Sequence, residues 1–291
     1  METVVTQFLS CSPLFNGLLT RPRVLQNVLE TSLKEGKPLV IVSSVCPPYS
    51  SDGNGRPDYQ MLEEGISYNI CQHLSEVPKG IRFLESKGVA VVHFFLMADT
   101  EVDLLPFLKT IGISEVEFTR RCQKSVEVIS EQVVRIYLQV DYERYSLPRA
   151  ARFLEFFGHD DWYSTYGVFK ERLNLEAKQD PLGKVAKSLE YDARQRSEII
   201  SRLLGYSATP EERVNHIIRQ KAQYMAFAKL MRDRFPERLL VVNHMTPNFK
   251  WMNDKLVREN PDPEQNKKGN YLSEIPLLEL DISTVPKEEN V

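Results

Sequence analysis

The sequence lacks the features that mark several common classes of protein. Its 291 residues carry a formal net charge of -3. Because nucleic-acid-binding proteins usually show a basic balance or a basic stripe, we expect no nucleic-acid partner. The longest apolar stretches, residues 39–45 and 89–97, are far shorter than a membrane span, so we expect no membrane partner. The N-terminus has no basic region followed by a long apolar segment, which argues against a signal peptide.

Cysteine is scarce, and its spacing excludes the usual zinc patterns. The four cysteines form no CxxC pair and the five histidines form no HExxH pattern, so we predict no metal site of these kinds. Free thiols are typical of a reducing compartment, and we expect a cytoplasmic location. Nucleotide-binding GxGxxG and Walker loops and the serine-hydrolase GxSxG are also missing.

Apolar runs instead alternate with amphipathic stretches at helical spacing. This alternation predicts an α/β, Rossmann-like fold with a largely parallel sheet, flanking helices and a helical middle segment. We predict one α/β catalytic domain over 1–255, with a helical insertion at about 148–206, and a polar loop and C-terminal tail over 256–291. The predicted helices lie at 22–35, about 59–75 (capped by Asp58), 114 to about 130, and 209 to about 233. The predicted strands lie at 37–44, 89–99 and 238–244, with a possible edge strand at 275–283. Residues 133–140 could form a further strand or continue the preceding helix, and we favour the strand.

Ligands of open α/β sheets bind outside the carboxyl ends of the strands, and polar residues follow three of the predicted strands. The first such segment is the long loop 46–58. Its Arg56 could bind a phosphate or a carboxylate, and Tyr49 and Ser50 could hydrogen-bond a substrate. The alternative is a surface loop without regular structure, in which Asp58 caps the next helix.

The second polar segment holds three acids, Asp99, Glu101 and Asp103. Carboxylates in this position could bind Mg²⁺ or an ammonium group, or could act as a general base. The alternative is a helix N-terminus, which favours acidic side chains through its dipole. His93 differs from these residues because apolar neighbours flank it within its strand, and we predict a hydrogen-bonded core histidine.

The third polar segment follows the strand that ends at His244. His244 titrates near neutral pH and could move protons, and Lys250 could hold an anion or attack a carbonyl group. Asn243, Thr246 and Asn248 could orient a carboxylate. The alternative is an ordinary strand end followed by a Thr-Pro turn.

The order of several segments resembles that of the isonitrile synthases of the pyoverdine/dityrosine-biosynthesis family. "GRPDYQMLEEG" is similar to a Leu-Pro-Asp followed by acids, and "VVHFFLMADTEVD" to a strand with a short Asp-containing end. The C-terminal part, from Arg219 through Phe235-Pro236 to His244 and Lys250, is similar to a helix, a Phe-Pro and a strand ending in His. The chain departs from the family in two places: Val242-Asn243-His244 stands where that family has Ser-Ile-His, and Met97-Ala98-Asp99 stands where it has Ser-Asp-Gly.

This resemblance implies a reaction without a metal or redox cofactor. An amino-acid amine would condense with the keto carbon of a sugar phosphate, ribulose 5-phosphate, and fragment to an isonitrile. Asp99, Glu101 and His244 would handle protons, and Arg56, Arg219 or Lys250 would hold a phosphate or carboxylate. Two alternatives remain open: a Mg²⁺-dependent lyase or transferase acting on small carboxylic acids, and a non-catalytic protein that binds a partner through the charged region 170–234.

Overall fold

The computed structural model describes residues 2–13, 15–18, 22–45, 49–51, 57–61, 68–100, 108, 112–138, 149–244 and 277–280. The helices are α1 (Glu2–Leu9), α2 (Pro22–Glu35), α3 (Tyr68–Ser86), α4 (Glu115–Leu138), α5 (Phe153–Phe157), α6 (His159–Gln179), α7 (Lys184–Gln195), α8 (Ser197–Leu204) and α9 (Pro210–Arg234). The strands are β1 (Phe15–Leu18), β2 (Leu39–Val45), β3 (Tyr49–Ser51), β4 (Pro57–Met61), β5 (Val91–Met97), β6 (Arg149–Arg152), β7 (Leu239–His244) and β8 (Leu277–Leu280).

The main sheet has the strand order β1-β8-β7-β2-β5-β6. Its strands are parallel from β8 to β6, and β1 is antiparallel to β8 at one edge. From β2 the chain proceeds outward to β5 and β6, then crosses back to β7 on the other side of β2. This order confirms the predicted α/β, Rossmann-like fold and places the topological switch point between β2 and β7.

Helices cover both faces of this sheet, because the side chains of its central strands alternate between two buried clusters. In β2, Val40 and Val42 pack into one cluster while Leu39 and Ile41 pack into the other. The first cluster is completed by α5 to α9 and the second by α1 to α3. Two-sided burial explains why β2 is an almost continuous apolar run. Among the described residues, no helix has both the length and the apolar composition needed to cross a membrane.

Several predicted elements are confirmed, and these are the elements with a clear pattern in the local sequence. α2 and α9 occupy the predicted ranges, and the capping box of Thr209 and Glu212 opens α9 with reciprocal hydrogen bonds of 3.2 and 2.8 Å. The predicted tail strand exists as β8, but it lies between β7 and β1 instead of at the edge.

The strand predicted at 133–140 is wrong. α4 continues through this range to Leu138, as a single helix of 24 residues. No glycine or proline interrupts the sequence from Glu115 to Leu138, and extending an existing helix costs much less than starting a new element. The β-branched residues in this stretch therefore did not mark a strand.

The loop predicted at 46–58 and the helix predicted from 59 are also corrected. Tyr49–Ser51 and Pro57–Met61 pair as antiparallel strands, and the helix that follows them among the described residues is α3, Tyr68–Ser86. Asp58 therefore lies in a strand and does not cap a helix. The sequence Asp-Gly-Asn-Gly between the two strands is typical of a hairpin connection, and this local signal outweighs the helical pattern that follows it.

Candidate functional site

The carboxyl ends of β7, β2 and β5 lie side by side at one edge of the sheet. Val45 of β2 pairs with Met97 of β5, and Ser43 pairs with Val242 of β7. The same offset brings His244, the last residue of β7, beside Val45. Because neighbouring strands are about 4.8 Å apart, the backbones at His244 and Met97 are separated by roughly 10 Å. One ligand could therefore reach all three strand ends.

The predicted site residues differ in how far the structure describes them. Arg56, Glu101, Thr246, Asn248 and Lys250 lie outside the described residues. The backbones of Tyr49, Asn243 and His244 are described, in β3 and at the end of β7. Asp99 and Arg219 are described with their side chains. The roles of all these residues stay predictions.

Asp99 lies two residues beyond β5, and its side chain is 2% exposed. Its Oδ1 accepts a hydrogen bond of 3.2 Å from the backbone N–H of Leu154, and Oδ2 lies 3.5 Å from Arg152 Nη1. Burial raises the pKa of Asp99, while the Leu154 N–H and the Arg152 guanidinium act in the opposite direction. The carboxyl group thus fastens the start of α5 to the end of β5, and it does so close to the sheet edge.

Three residues that the sequence analysis did not select surround this position: Arg152, Tyr163 and Gln223. Burial raises the pKa of Tyr163, and the carboxylates of Asp99 and Glu115 raise it further. Gln223 Nε2 donates a hydrogen bond of 2.8 Å to the carbonyl oxygen of Thr100. Their partners Asp99 and Thr100 are 53 to 123 residues away in sequence, so no local pattern could have identified them.

Arg219 lies on α9 beyond the carboxyl edge of the sheet. Gln223 lies level with that edge, because its side chain is hydrogen-bonded to Thr100. Arg219 lies four residues closer to the N-terminus of α9, which is about 6 Å along the helix axis. It lines a cavity of about 340 Å³ between α6 and α9. The structure therefore places this predicted substrate-binding residue above the edge that carries Asp99 and His244.

His93 is a core residue, as predicted. It is 2% exposed, and its Nε2 is hydrogen-bonded to Ser43 Oγ at 2.9 Å. Burial lowers the pKa of His93 to about 3, so the ring is neutral at physiological pH. This residue stabilises the pairing of β2 and β5 from within the sheet.

The described residues contain no group of three His, Cys, Asp or Glu side chains that could hold a metal ion. Asp99 directs its oxygens to a backbone N–H and to an arginine, which is not the environment of a Mg²⁺ ligand. Glu101 and Asp103, the other members of the predicted acidic set, lie outside the described residues.

No protein-family model matches the chain, and no curated protein matches its sequence. Among solved structures, the PvcA protein from Pseudomonas aeruginosa matches 84% of this chain and 81% of its own, with 10% identity and a TM-score of 0.50. A cyclodipeptide synthase from Bacillus thermoamylovorans matches 97% of this chain and 99% of its own, with 11% identity and a TM-score of 0.46. A cyclodipeptide synthase from Candidatus Glomeribacter gigasporarum, bound to Phe-tRNAPhe, matches 94% of this chain and 100% of its own, with 14% identity and a TM-score of 0.46. At these identities the likeness shows the fold alone.

The expected membership of the isonitrile-synthase family is wrong on these findings. The three structures named above are two cyclodipeptide synthases and PvcA, at 10% to 14% identity, and no family model matches. The physical reason is that the matching segments, such as Phe235-Pro236 before β7, are helix stops and strand starts. Segments of this kind follow from the order of the elements, so a match in their order indicates a similar fold and does not show a family.

The expectation of no nucleic-acid partner is also corrected, because one matched protein is bound to Phe-tRNAPhe. A net charge of -3 is an average over the whole surface, and a local group of lysine and arginine side chains can exist within it. Net charge therefore does not exclude a nucleic acid for a chain of this fold.

Proposed function

We propose that this protein is a small-molecule biosynthetic enzyme whose reaction takes place over the carboxyl ends of β7, β2 and β5. The observation that carries this proposal is the topological switch point between β2 and β7, with His244 at the end of β7. Connections leave neighbouring strands in opposite directions at such a point, which opens a crevice where ligands bind. A histidine at this position has the chemistry needed to move protons near neutral pH.

In this proposal His244 acts as the general acid or base, and Lys250 holds an anion or attacks a carbonyl group. Asp99 and Glu101 are the proposed acidic groups; the buried Asp99 acts mainly by fixing the start of α5 next to the crevice. The proposed substrate-binding residues are Tyr49, Arg56, Arg219, Asn243, Thr246 and Asn248.

The proposed reaction class is the joining of an amine, such as that of an amino acid, to a carbonyl carbon. The nitrogen lone pair forms the C–N bond while the electrons of the C=O bond move to oxygen. The nitrogen gives up a proton, the oxygen receives one, and water leaves in the dehydration that follows. A histidine that accepts a proton at one step and returns it at the next serves both halves of this reaction.

The test compares small molecules from cells that express the wild-type chain, His244→Ala or His159→Ala. His159 is the matched control, because its side chain is 71% exposed at the start of α6. We expect a new product, detected by untargeted mass spectrometry, with the wild type and with His159→Ala but not with His244→Ala. An unchanged metabolite profile for the wild type, or undiminished product with a folded His244→Ala, would contradict the proposal.

A second measurement identifies the form of the amino-acid substrate. The purified protein is incubated with cell extract and either isotopically labelled free amino acids or aminoacyl-tRNA carrying the same labels. Label entering the product from the free amino acid supports the amine–carbonyl proposal. Label entering only from aminoacyl-tRNA would replace this reaction class with transfer of an activated acyl group.

A further inference from the structure

The helix α6 carries exposed aliphatic side chains in a regular series. Val168 is 63% exposed and Leu175 is 53% exposed, and Leu182, which follows just after the helix, is 79% exposed. Of the five large aliphatic side chains that are exposed in the described part of the chain, these three lie at intervals of seven residues. Seven residues make almost two turns, so Val168 and Leu175 lie on one face of α6. Single exposed apolar side chains are common, whereas a regular series on one helix indicates an interaction surface.

A different face of α6 already packs against the core. Trp162, Tyr166 and Leu173 are 7% exposed or less and lie in the first buried cluster with residues of α9. The helix is therefore apolar on two faces, and only one of them is covered within the part of the chain that the structure describes. A helix with apolar residues on all sides is normally buried on all sides, so a further partner is expected for the exposed face.

The charges on this face are complementary to a second copy of the same helix. Glu171 and Arg172 are exposed and lie midway between Val168 and Leu175. When two α6 helices pair in antiparallel fashion with Val168 facing Leu175 of the other copy, Glu171 faces Arg172, because both pairs have the same centre. A two-fold axis repeats each contact, so the pair makes two aliphatic contacts and two contacts between opposite charges.

Both charged groups can make this contact. Among the described residues, Glu171 has no ion-pair partner. Arg172 Nε lies 2.7 Å from Glu176 Oε1 on its own helix, and a guanidinium has enough N–H donors to serve two carboxylates.

The ends of α6 favour the same orientation. Asp160 and Asp161 lie in the first turn and Lys178 in the last turn. An antiparallel pair brings the acidic end of one helix to the basic end of the other, and it also aligns the two helix dipoles favourably. A parallel pair would place like charges together at both ends.

From these observations we propose that the exposed face of α6 binds α6 of a second copy of this chain, as an antiparallel pair about a two-fold axis. The helix has 21 residues and is about 32 Å long. A contact one helix wide and of this length is smaller than the roughly 800 Å² per partner of a stable interface, so we expect a dimer that forms only at high concentration. This inference is independent of the proposed reaction.

The experiment measures the mass of the full chain by sedimentation velocity from about 1 μM to about 1 mM, a range that covers weak association. Leu175→Ser removes an aliphatic contact, and Arg172→Glu places two carboxylates opposite each other. The double variant Glu171→Arg/Arg172→Glu restores opposite charges in reversed order. The matched control is Val116→Ser, which removes a side chain that is 80% exposed on α4.

We expect the wild type and Val116→Ser to change in parallel from 33.6 kDa toward twice this mass as the concentration rises. Leu175→Ser and Arg172→Glu should raise the dissociation constant at least about 10-fold, because the two-fold axis makes each substitution count twice. The double variant should recover most of the affinity. It also lacks the contact between Arg172 and Glu176, so its recovery can come only from the contact between copies.

Circular dichroism establishes that each variant is folded before its mass is compared. A wild-type chain that stays monomeric up to about 1 mM would overturn the inference, whether the face is free or covered by another segment or protein. So would a dimer that Leu175→Ser leaves unchanged, or a double variant that associates no better than Arg172→Glu. A mass beyond two chains would also count against it, because contacts about a two-fold axis close at the dimer.

Discussion

The buried His93 makes the stability of this protein sensitive to acid in a way that can be calculated. Its folded-state pKa is about 3 against an ordinary value of 6.5, because burial disfavours the charged ring. Below pH 6.5 the unfolded chain binds a proton that the folded chain does not. The free energy of unfolding therefore falls as pH decreases from 6.5 toward 3, and this contribution is constant above and below that window.

At pH 5 the titration of His93 lowers the free energy of unfolding by about 2 kcal/mol. At pH 7.5 it lowers this free energy by almost nothing. This figure depends mainly on the ordinary pKa of histidine, because the folded-state ring is neutral at pH 5. Other buried groups titrate in the same window. His216, with a pKa of about 4, adds a loss of the same sign, whereas Glu85, with a pKa raised by burial to about 7, opposes it.

A difference between two variants isolates His93 from these other groups. His93→Gln removes the titration and keeps an amide that can hydrogen-bond Ser43, and the exposed His159→Gln is the matched control. Urea unfolding is followed by the fluorescence of the buried Trp162 at pH 7.5 and pH 5. We expect the free energy of unfolding of His93→Gln, relative to that of the wild type, to be about 2 kcal/mol higher at pH 5 than at pH 7.5. The free energy of unfolding of His159→Gln relative to the wild type should be the same at both pH values. An equal difference at both pH values would refute the view that His93 is buried and neutral.

Substitutions at Gly80 and at Asp99 test two contacts of the fold. Gly80→Ala would place a Cβ 2.6 Å from the Phe8 ring, so we expect a loss of about 1–3 kcal/mol in urea unfolding. In the control Gly167→Ala, a Cβ on α6 meets no neighbouring atom, and we expect the free energy of unfolding to rise by about 0.5–1 kcal/mol. Equal effects of the two substitutions would contradict the close contact between Gly80 and the Phe8 ring. Asp99→Ala leaves the Leu154 N–H without its acceptor and should cost about 1–3 kcal/mol, whereas Asp99→Asn, which keeps an acceptor, should cost less. Equal losses for the two Asp99 variants would show that the hydrogen bond to α5 contributes nothing.

The elements that could be predicted from the sequence are those with a strong local signal. β2, β5 and β7 are long apolar runs buried on both faces, and α9 has a complete capping box. β1 and β6 have only four residues each, and β6 reads Arg-Ala-Ala-Arg, which has no strand pattern. These short strands form because a neighbouring strand offers unpaired backbone groups, which is a property of the sheet and not of the segment.

The same distinction applies to the site. Asp99 could be predicted because it directly follows a strong strand in the chain. Arg152 and Gln223 could not be predicted, because their partners, Asp99 and Thr100, are brought to them by the packing of β6 and α9 against β5. Sequence position indicates which residues lie at the sheet edge, whereas the residues that hold them there come from distant segments.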